Sequence, residues 1–218
     1  MIGRQIIALP QARGRQMIGD EQGGTLVEFA VVLPIFLLMF FGLIDFCRIG
    51  FSYVMAGKAA DRAVRMAVVL PPACDGLPQT NGRGLLEGGE EQYKFGASCS
   101  IDSNLCANAA TVSCSAAGSN ATAVEIWSEI QSIMPSNATA ANLLFTYEFT
   151  PAMGFLGGPY TPIVTVEIQN LDFQFVTPLG ALATLGGASG QSSLGTNFSF
   201  PSMSASLPAE ALFDGVNS

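Results

Sequence analysis

A carboxylate at the entrance to an apolar run is the feature that most constrains how this chain folds. Glu28 precedes sixteen uncharged residues, from Phe29 to Ile44, and the stretch from Leu26 to Phe46 reaches the roughly 20 residues that a helix needs to cross a bilayer. An ionisable group at the edge of hydrocarbon costs about 2 to 3 kcal/mol, so such a residue usually has a function and a partner that compensates its charge. The sequence therefore predicts a membrane-spanning helix with a functional carboxylate at its start.

The predicted partner of Glu28 is an amino group that cleavage of the chain would create. A cut between Gly23 and Gly24 would leave a new α-amino group four residues before Glu28. With a pKa of about 8, this group is mostly cationic at neutral pH. Because closing the pair within one chain competes with helix geometry, a neighbouring copy is the natural partner.

The residues around the cut site carry a family resemblance. A leader ends in Gly23, Glu28 and Phe29 occupy the fifth and sixth positions after the cut, and an apolar helix follows. These features resemble type IV prepilins. Three further motifs resemble the TadE-like proteins of tight-adherence (Tad, Flp) pilus systems: Val27-Glu28-Phe29-Ala30, Leu33-Pro34 and Gly42-Leu43-Ile44-Asp45-Phe46-Cys47-Arg48.

The resemblance implies a structural part of a pilus system, processed by an enzyme but not itself one. Gly23 and Gly24 would be the processing site of a prepilin peptidase, and Glu28 and Phe29 would serve subunit assembly. The implied partners are the peptidase, sister pseudopilins, the assembly platform, the major pilin and the inner membrane. Because the major pilins of these systems are very short, the long C-terminal part of this chain points to a minor pilin or pseudopilin.

Three parts of the chain follow from this interpretation. Residues 1–23 are a cytoplasmic leader, residues 24–70 a helix with a transmembrane and an amphipathic half, and residues 71–218 a periplasmic TadE-like α+β domain. The first part of that domain, residues 71–120, is irregular and rich in cysteine. The expected location is the bacterial inner membrane, with a single span and a subunit that either stays there or enters an extracellular pilus.

Charge supports this orientation and disfavours nucleic acid as a partner. The basic residues Arg4, Arg13 and Arg15 precede the span, which favours a cytoplasmic leader. Basic residues on the far side of the span weaken this bias, namely Arg48, Lys58, Arg62 and Arg65. From Pro71 onward only Arg83 and Lys94 are basic, against twelve acidic residues. Nucleic-acid surfaces need clustered cations to neutralise phosphates, and this domain lacks them.

Four of the five cysteines fall in the predicted periplasmic part, where disulfides persist: Cys74, Cys99, Cys106 and Cys114. Four cysteines allow three connectivities, and the sequence does not choose among them. We favour the nested pairing of Cys99 with Cys106 and of Cys74 with Cys114. A zinc site is disfavoured, because the chain has no Cys-x-x-Cys pair and no histidine. No metal, cofactor or small-molecule substrate is predicted.

The predicted fold is α+β and pilin-like, with the long helix packed on a small antiparallel sheet. Residues 143–149 and 164–168 alternate apolar and polar side chains, as half-buried strands do, and the phase changes near Asn170. A last strand near Pro201 is expected at an edge. A second helix is expected over Ala123 to Met134, and a mobile apolar loop over Leu179 to Gly195. The apolar face of the amphipathic half is expected to comprise Phe51, Met55, Ala59, Ala63, Met66 and Leu70.

Two other functions stay open. Residues 71–120 could form an adhesin surface at a pilus tip, with the helix serving as its mount. Alternatively, the chain could be a signal-anchored envelope protein unrelated to pili, with Glu28 as a boundary residue that snorkels to water. Enzymatic activity is not expected, because the chain has no histidine for a nucleophile pair and no Gly-x-Ser-x-Gly, Walker or dinucleotide motif.

Overall fold

The computed structural model describes residues 21–85, 93–188, 195–210 and 212–213. The predicted leader is residues 1–23, and its first 20 residues therefore lie outside the described part of the chain. Within these ranges, the protein combines one long helix with a small antiparallel sheet, as the sequence predicts.

A single long helix, α1, spans Glu21–Ala67 and continues through Pro34. Proline removes one backbone hydrogen bond, a loss that membrane helices tolerate. After the helix, Leu70 still donates its backbone N–H to the Met66 carbonyl at 3.0 Å. The helix itself ends at Ala67, three residues before the predicted end at Leu70, and Pro71 and Pro72 follow that turn.

The main sheet has four antiparallel strands in the order β1-β2-β3-β6. Side chains at every second position of β2 and β3 are buried, which confirms the predicted alternation. Strand β6 lies at an edge, also as predicted. A second sheet pairs β4 with β5. The strands are β1 Val112–Ser115, β2 Leu143–Glu148, β3 Ile163–Ile168, β4 Asp172–Phe173, β5 Phe198–Ser199 and β6 Met203–Pro208.

Two short helices complete the described elements. Helix α2 spans Ala121–Ile130 and continues as a 3₁₀ turn over Gln131–Ile133; a second 3₁₀ turn covers Ala140–Asn142. The Asn120 side chain caps α2 by accepting from the backbone N–H of Thr122 and Ala123. Helix α3 spans Leu179–Leu185, so the prediction of a loop from Leu179 was wrong over these residues. Alanine and leucine favour helix there, despite the surrounding glycines.

The chain forms two compact units. The first contains the chain up to Asp45 together with Phe175–Thr196, and the second contains Phe46–Gln174 and Asn197–Ser218. Helix α1 contributes its N-terminal part to the first unit and its C-terminal part to the second.

The core of the second unit includes the buried side of α1 and one face of the main sheet. The helix buries small residues, namely Ala56, Ala59, Ala60, Ala63, Val64 and Ala67. Phe51 is 68% exposed, so its predicted place in the buried face was wrong. Alanine allows close backbone packing, and a pattern of large apolar residues does not reveal such a face. The sheet contributes fully buried Phe145, Tyr147, Val164 and Val166.

Candidate functional site

The N-terminal part of α1 exposes an unusually apolar surface. Leu26, Phe29, Val32 and Met39 are each more than 60% exposed. Burying one such side chain is worth about 1.5 to 3 kcal/mol, so a run of them left in water would be strongly unfavourable. The helix from Gly24 has a stretch of mean hydropathy 2.6 and is long and apolar enough to cross a membrane. It is therefore compatible with a single-pass anchor.

Glu28 lies on this apolar helix as an exposed carboxylate. Its neighbour Phe29 is 61% exposed, and Gly24 has open space where a side chain would begin. Among the described residues, the structure records no ion pair or hydrogen bond to the Glu28 carboxylate. Gly23 and Gly24 both lie within the helical range of α1. Glycine disfavours helix by roughly 1 kcal/mol relative to alanine, so this is a weak point in the helical segment.

A second carboxylate, Asp45, ends the apolar run and is fully buried. The Thr177 hydroxyl donates a hydrogen bond to its Oδ2 atom. Both residues belong to the first unit, where Phe175–Thr196 accompanies the helix. This pair was not predicted from the sequence. Asp45 itself could have been singled out, because it is an ionisable residue near the end of a predicted membrane span. Its partner Thr177 could not, because it lies 132 positions away in the sequence.

The cysteine-rich region is a folded part of the second unit. Disulfides join Cys74 to Cys114 and Cys99 to Cys106, which is the nested arrangement favoured above. Leu105 and Leu156 pack with the second disulfide in a small core. Gly154 lies so close that a Cβ there would approach Cys99 Sγ to 2.9 Å, which explains the need for glycine.

This stapled region also exposes large apolar side chains: Leu85 at 92%, Phe95 at 75% and Ile101 at 58%. Phe155, whose backbone forms a bridge with Ser98 of the region, is 54% exposed. The Phe95 ring lies below the Arg83 guanidinium, 5.5 Å from its centroid. The region is thus both rigidly connected and partly apolar at its surface.

An aromatic cluster surrounds β4 and β5 in the second unit. Phe173 contacts Phe198 and Phe200, with ring centroids 6.0 Å apart in both pairs, and Tyr53 lies 6.2 Å from Phe200. The Arg48 guanidinium lies over the Phe173 ring at 5.4 Å. A cation on aromatic rings just after an apolar helix segment is typical of a membrane boundary.

Two buried tyrosines, Tyr147 and Tyr160, have pKa values above the ordinary value of a tyrosine. Burial raises the pKa of Tyr147, and the hydrogen bond from the Ala73 backbone N–H to its hydroxyl at 2.9 Å partly offsets that rise. Burial also raises the pKa of Tyr160, whose hydroxyl has no hydrogen-bond partner among the described residues. Both tyrosines therefore remain neutral to higher pH in the folded protein.

The described residues place Lys58 and Asp61 in the lining of one cleft, which has a volume of about 390 Å³. They contain no cluster of three histidine, cysteine or carboxylate side chains that could hold a metal. A cleft of about 380 Å³ beside Tyr160 has no charged side chain in its lining. Glu129 on α2, which the sequence places four residues after Glu125, pairs with Arg62 at 2.8 Å on the surface.

The fold and the N-terminal segment define a protein with an apolar N-terminal helix, suited to anchoring in a membrane, and a disulfide-stapled α+β domain. Residues 23–65 match the family model described as TadE-like protein, which confirms the family resemblance. The matched segment contains Gly24, Glu28 and the apolar run. That family is not an enzyme family. No curated protein and no solved structure matches the chain.

Proposed function

We propose that the chain is a minor pilin or pseudopilin of a tight-adherence pilus, made as a precursor and cut between Gly23 and Gly24 by a prepilin peptidase. In this proposal residues 1–23 are the cytoplasmic leader, α1 crosses the inner membrane, and residues 71–218 lie in the periplasm. Its partners are the peptidase, sister pseudopilins with the assembly platform, and the major pilin. The TadE-like match of residues 23–65 supports this assignment.

The observation that carries the proposal is the exposed carboxylate of Glu28 on an otherwise apolar helix surface. In hydrocarbon such a charge needs compensation, and the amino group of Gly24 from a neighbouring subunit would provide it after cleavage. The exposed ring of Phe29 lies beside it and would pack in the same subunit contact.

Neutralising this charge should separate cleavage from assembly. We expect Glu28→Gln to be cut normally but incorporated poorly, because the new amino group loses its counter-charge while the side-chain volume is kept. A matched control is the double substitution Val27→Glu with Glu28→Val, which keeps the number of charges but moves the carboxylate about 100° around the helix. Processing and the amount of subunit in sheared pili are measured by immunoblotting. Normal incorporation of both variants would remove the charge-pairing account.

A second candidate function, attachment through the stapled region, is favoured by its exposed apolar side chains. Phe95, which is 75% exposed, lies in this region, and Phe155, which is 54% exposed, pairs with its Ser98; the Cys99–Cys106 disulfide holds the same region. The double substitution Phe95→Ser with Phe155→Ser should spare pilus formation and reduce surface attachment if this region is an adhesin. Loss of piliation would instead assign the region to assembly. The third alternative, a signal-anchored protein unrelated to pili, is disfavoured by the TadE-like match.

A further inference from the structure

The connection between β4 and β5 is unusually free of charge. It runs over residues 174–197, and no charged residue occurs between Asp172 and Glu210. Charged residues make up 12% of the whole chain. This connection also contains helix α3, whose sequence, Leu-Gly-Ala-Leu-Ala-Thr-Leu, has a single polar side chain. Such a composition is unusual for a connection that lies in water.

Helix α3 and the apolar part of α1 belong to the same unit, the first one. At one end Thr177 donates to Asp45, and at the other end a Cβ placed on Gly186 would lie 3.8 Å from Ile35 Cγ1. Asp45 and Ile35 are ten residues apart, which is about 15 Å along a helix. Residues 177–186 therefore run along α1 from the end of the apolar run to its middle.

The backbone of α3 satisfies its own polar groups at its C-terminal end. Elements in hydrocarbon must do this, because lipid offers no hydrogen-bond partners. Gly187, at a positive φ of 98°, allows the chain to turn back in a closing arrangement typical of helix ends. The bonds are Gly186 N–H to Leu182 O (3.0 Å), Gly187 N–H to Thr184 O (3.1 Å), Ala188 N–H to Ala183 O (3.0 Å), and the Thr184 hydroxyl to Ala181 O (2.7 Å).

The two sides of the segment differ in exposure. Leu179 and Ala183 are 8% and 7% exposed, whereas Val176 and Leu185 are each 73% exposed. The exposed pair belongs to the same unit as the apolar surface of α1 and adds large apolar side chains to it. If α1 is surrounded by lipid, the same lipid is the neighbour that fits Val176 and Leu185.

We propose that residues 175–188 are a second membrane-embedded element, which lies along α1 and presents Val176 and Leu185 to the acyl chains. The hydrogen bond between Thr177 and Asp45 holds its first end, and it provides the buried carboxylate with a donor at the boundary of the hydrocarbon. The inference rests on the proposed membrane anchoring by α1. It places Leu185 near the bilayer centre, because Ile35 lies one residue from the midpoint of the stretch from Leu26 to Phe46.

Tryptophan quenching by brominated lipids tests this placement. Trp127 is the only tryptophan, so a Trp127→Phe background allows one reporter at a time in the full chain reconstituted into phosphatidylcholine vesicles. Four positions of similar exposure serve as sites: Met39 (71%) in the span, Val176 (73%), Leu185 (73%), and Phe95 (75%) in the stapled region. Bromines placed deep or shallow in the acyl chains report the depth of each reporter.

We expect Leu185→Trp to be quenched as strongly as Met39→Trp, with deep bromines most effective. Val176→Trp should be quenched better by shallow bromines, and Phe95→Trp should be unaffected. Quenching at Met39 without quenching at Leu185 or Val176 would overturn the embedded segment and leave the span intact. Absence of quenching at Met39 would instead overturn the anchoring itself. Efficient disulfide formation between Leu185→Cys copies, without lipid quenching at Leu185, would assign the face to a second subunit and also overturn the proposal.

Discussion

Removing the two disulfides separately should destabilise the domain by unequal amounts. The Cys74–Cys114 bond joins positions 40 residues apart, whereas Cys99–Cys106 spans a separation of 7. In the chain-entropy model, the loss of the longer loop costs about 3.9 kcal/mol and the loss of the shorter about 2.4 kcal/mol at 25 °C. We therefore expect the Cys74→Ala/Cys114→Ala variant to be less stable than Cys99→Ala/Cys106→Ala by about 1.5 kcal/mol.

Urea unfolding of the full chain in detergent micelles, followed by Trp127 fluorescence, measures this difference. Trp127 is half-buried on α2 and reports on the second unit, independently of the anchor. Free energies are compared by linear extrapolation, and similar slopes for the variants would show that they expose similar surface on unfolding. Reduced wild type, which loses both bonds without a change of sequence, should be less stable than either variant. An equal or larger loss for Cys99→Ala/Cys106→Ala would refute the loop-length reasoning and point to packing around Leu105 and Leu156.

Three further predictions concern single side chains. Tyr147→Phe should cost about 1 to 3 kcal/mol in urea unfolding, because the buried Ala73 N–H loses its acceptor; Tyr160→Phe, which removes a hydroxyl with no partner among the described residues, should be neutral or stabilising. Because burial raises both tyrosine pKa values, their contribution to stability should be complete below the ordinary pKa of about 10 and should be lost as pH rises through the folded-state values. A flat stability profile above pH 10, measured with both tyrosines present, would contradict this. Thr177→Val should raise hydrogen exchange of the α3 amides by about tenfold or more, since hydrogen bonds to charged groups contribute roughly 1.5 to 3 kcal/mol, whereas Thr177→Ser should keep wild-type protection.

The regular elements of this protein were predictable because their patterns are strong and local. The strands at 143–148 and 163–168 alternate with period two, and both fold as predicted. The long apolar run forms α1. Asn120 caps α2, as expected for a short polar side chain directly before a helix. In each case the information lies within a few residues of the element that it specifies.

Elements that depend on distant partners were not predictable in the same way. Strand β1 is only four residues long, and its edges are defined by pairing with β2, from Val112 opposite Tyr147 to Ser115 opposite Leu144. The buried face of α1 consists largely of alanine, which carries little periodic signal. Thr177 is an ordinary polar residue in the sequence, and its role appears only when folding brings it to Asp45.

The N-terminus of the mature protein is the most direct test of the central proposal. The intact mass and N-terminal sequence would be measured on protein from membranes of cells that contain their prepilin peptidase, beside cells that lack it. The proposal predicts a chain beginning at Gly24 only where the peptidase is present, and the full-length precursor elsewhere. An uncut chain in both membranes would contradict the proposal and leave Glu28 as a boundary residue of an uncleaved anchor.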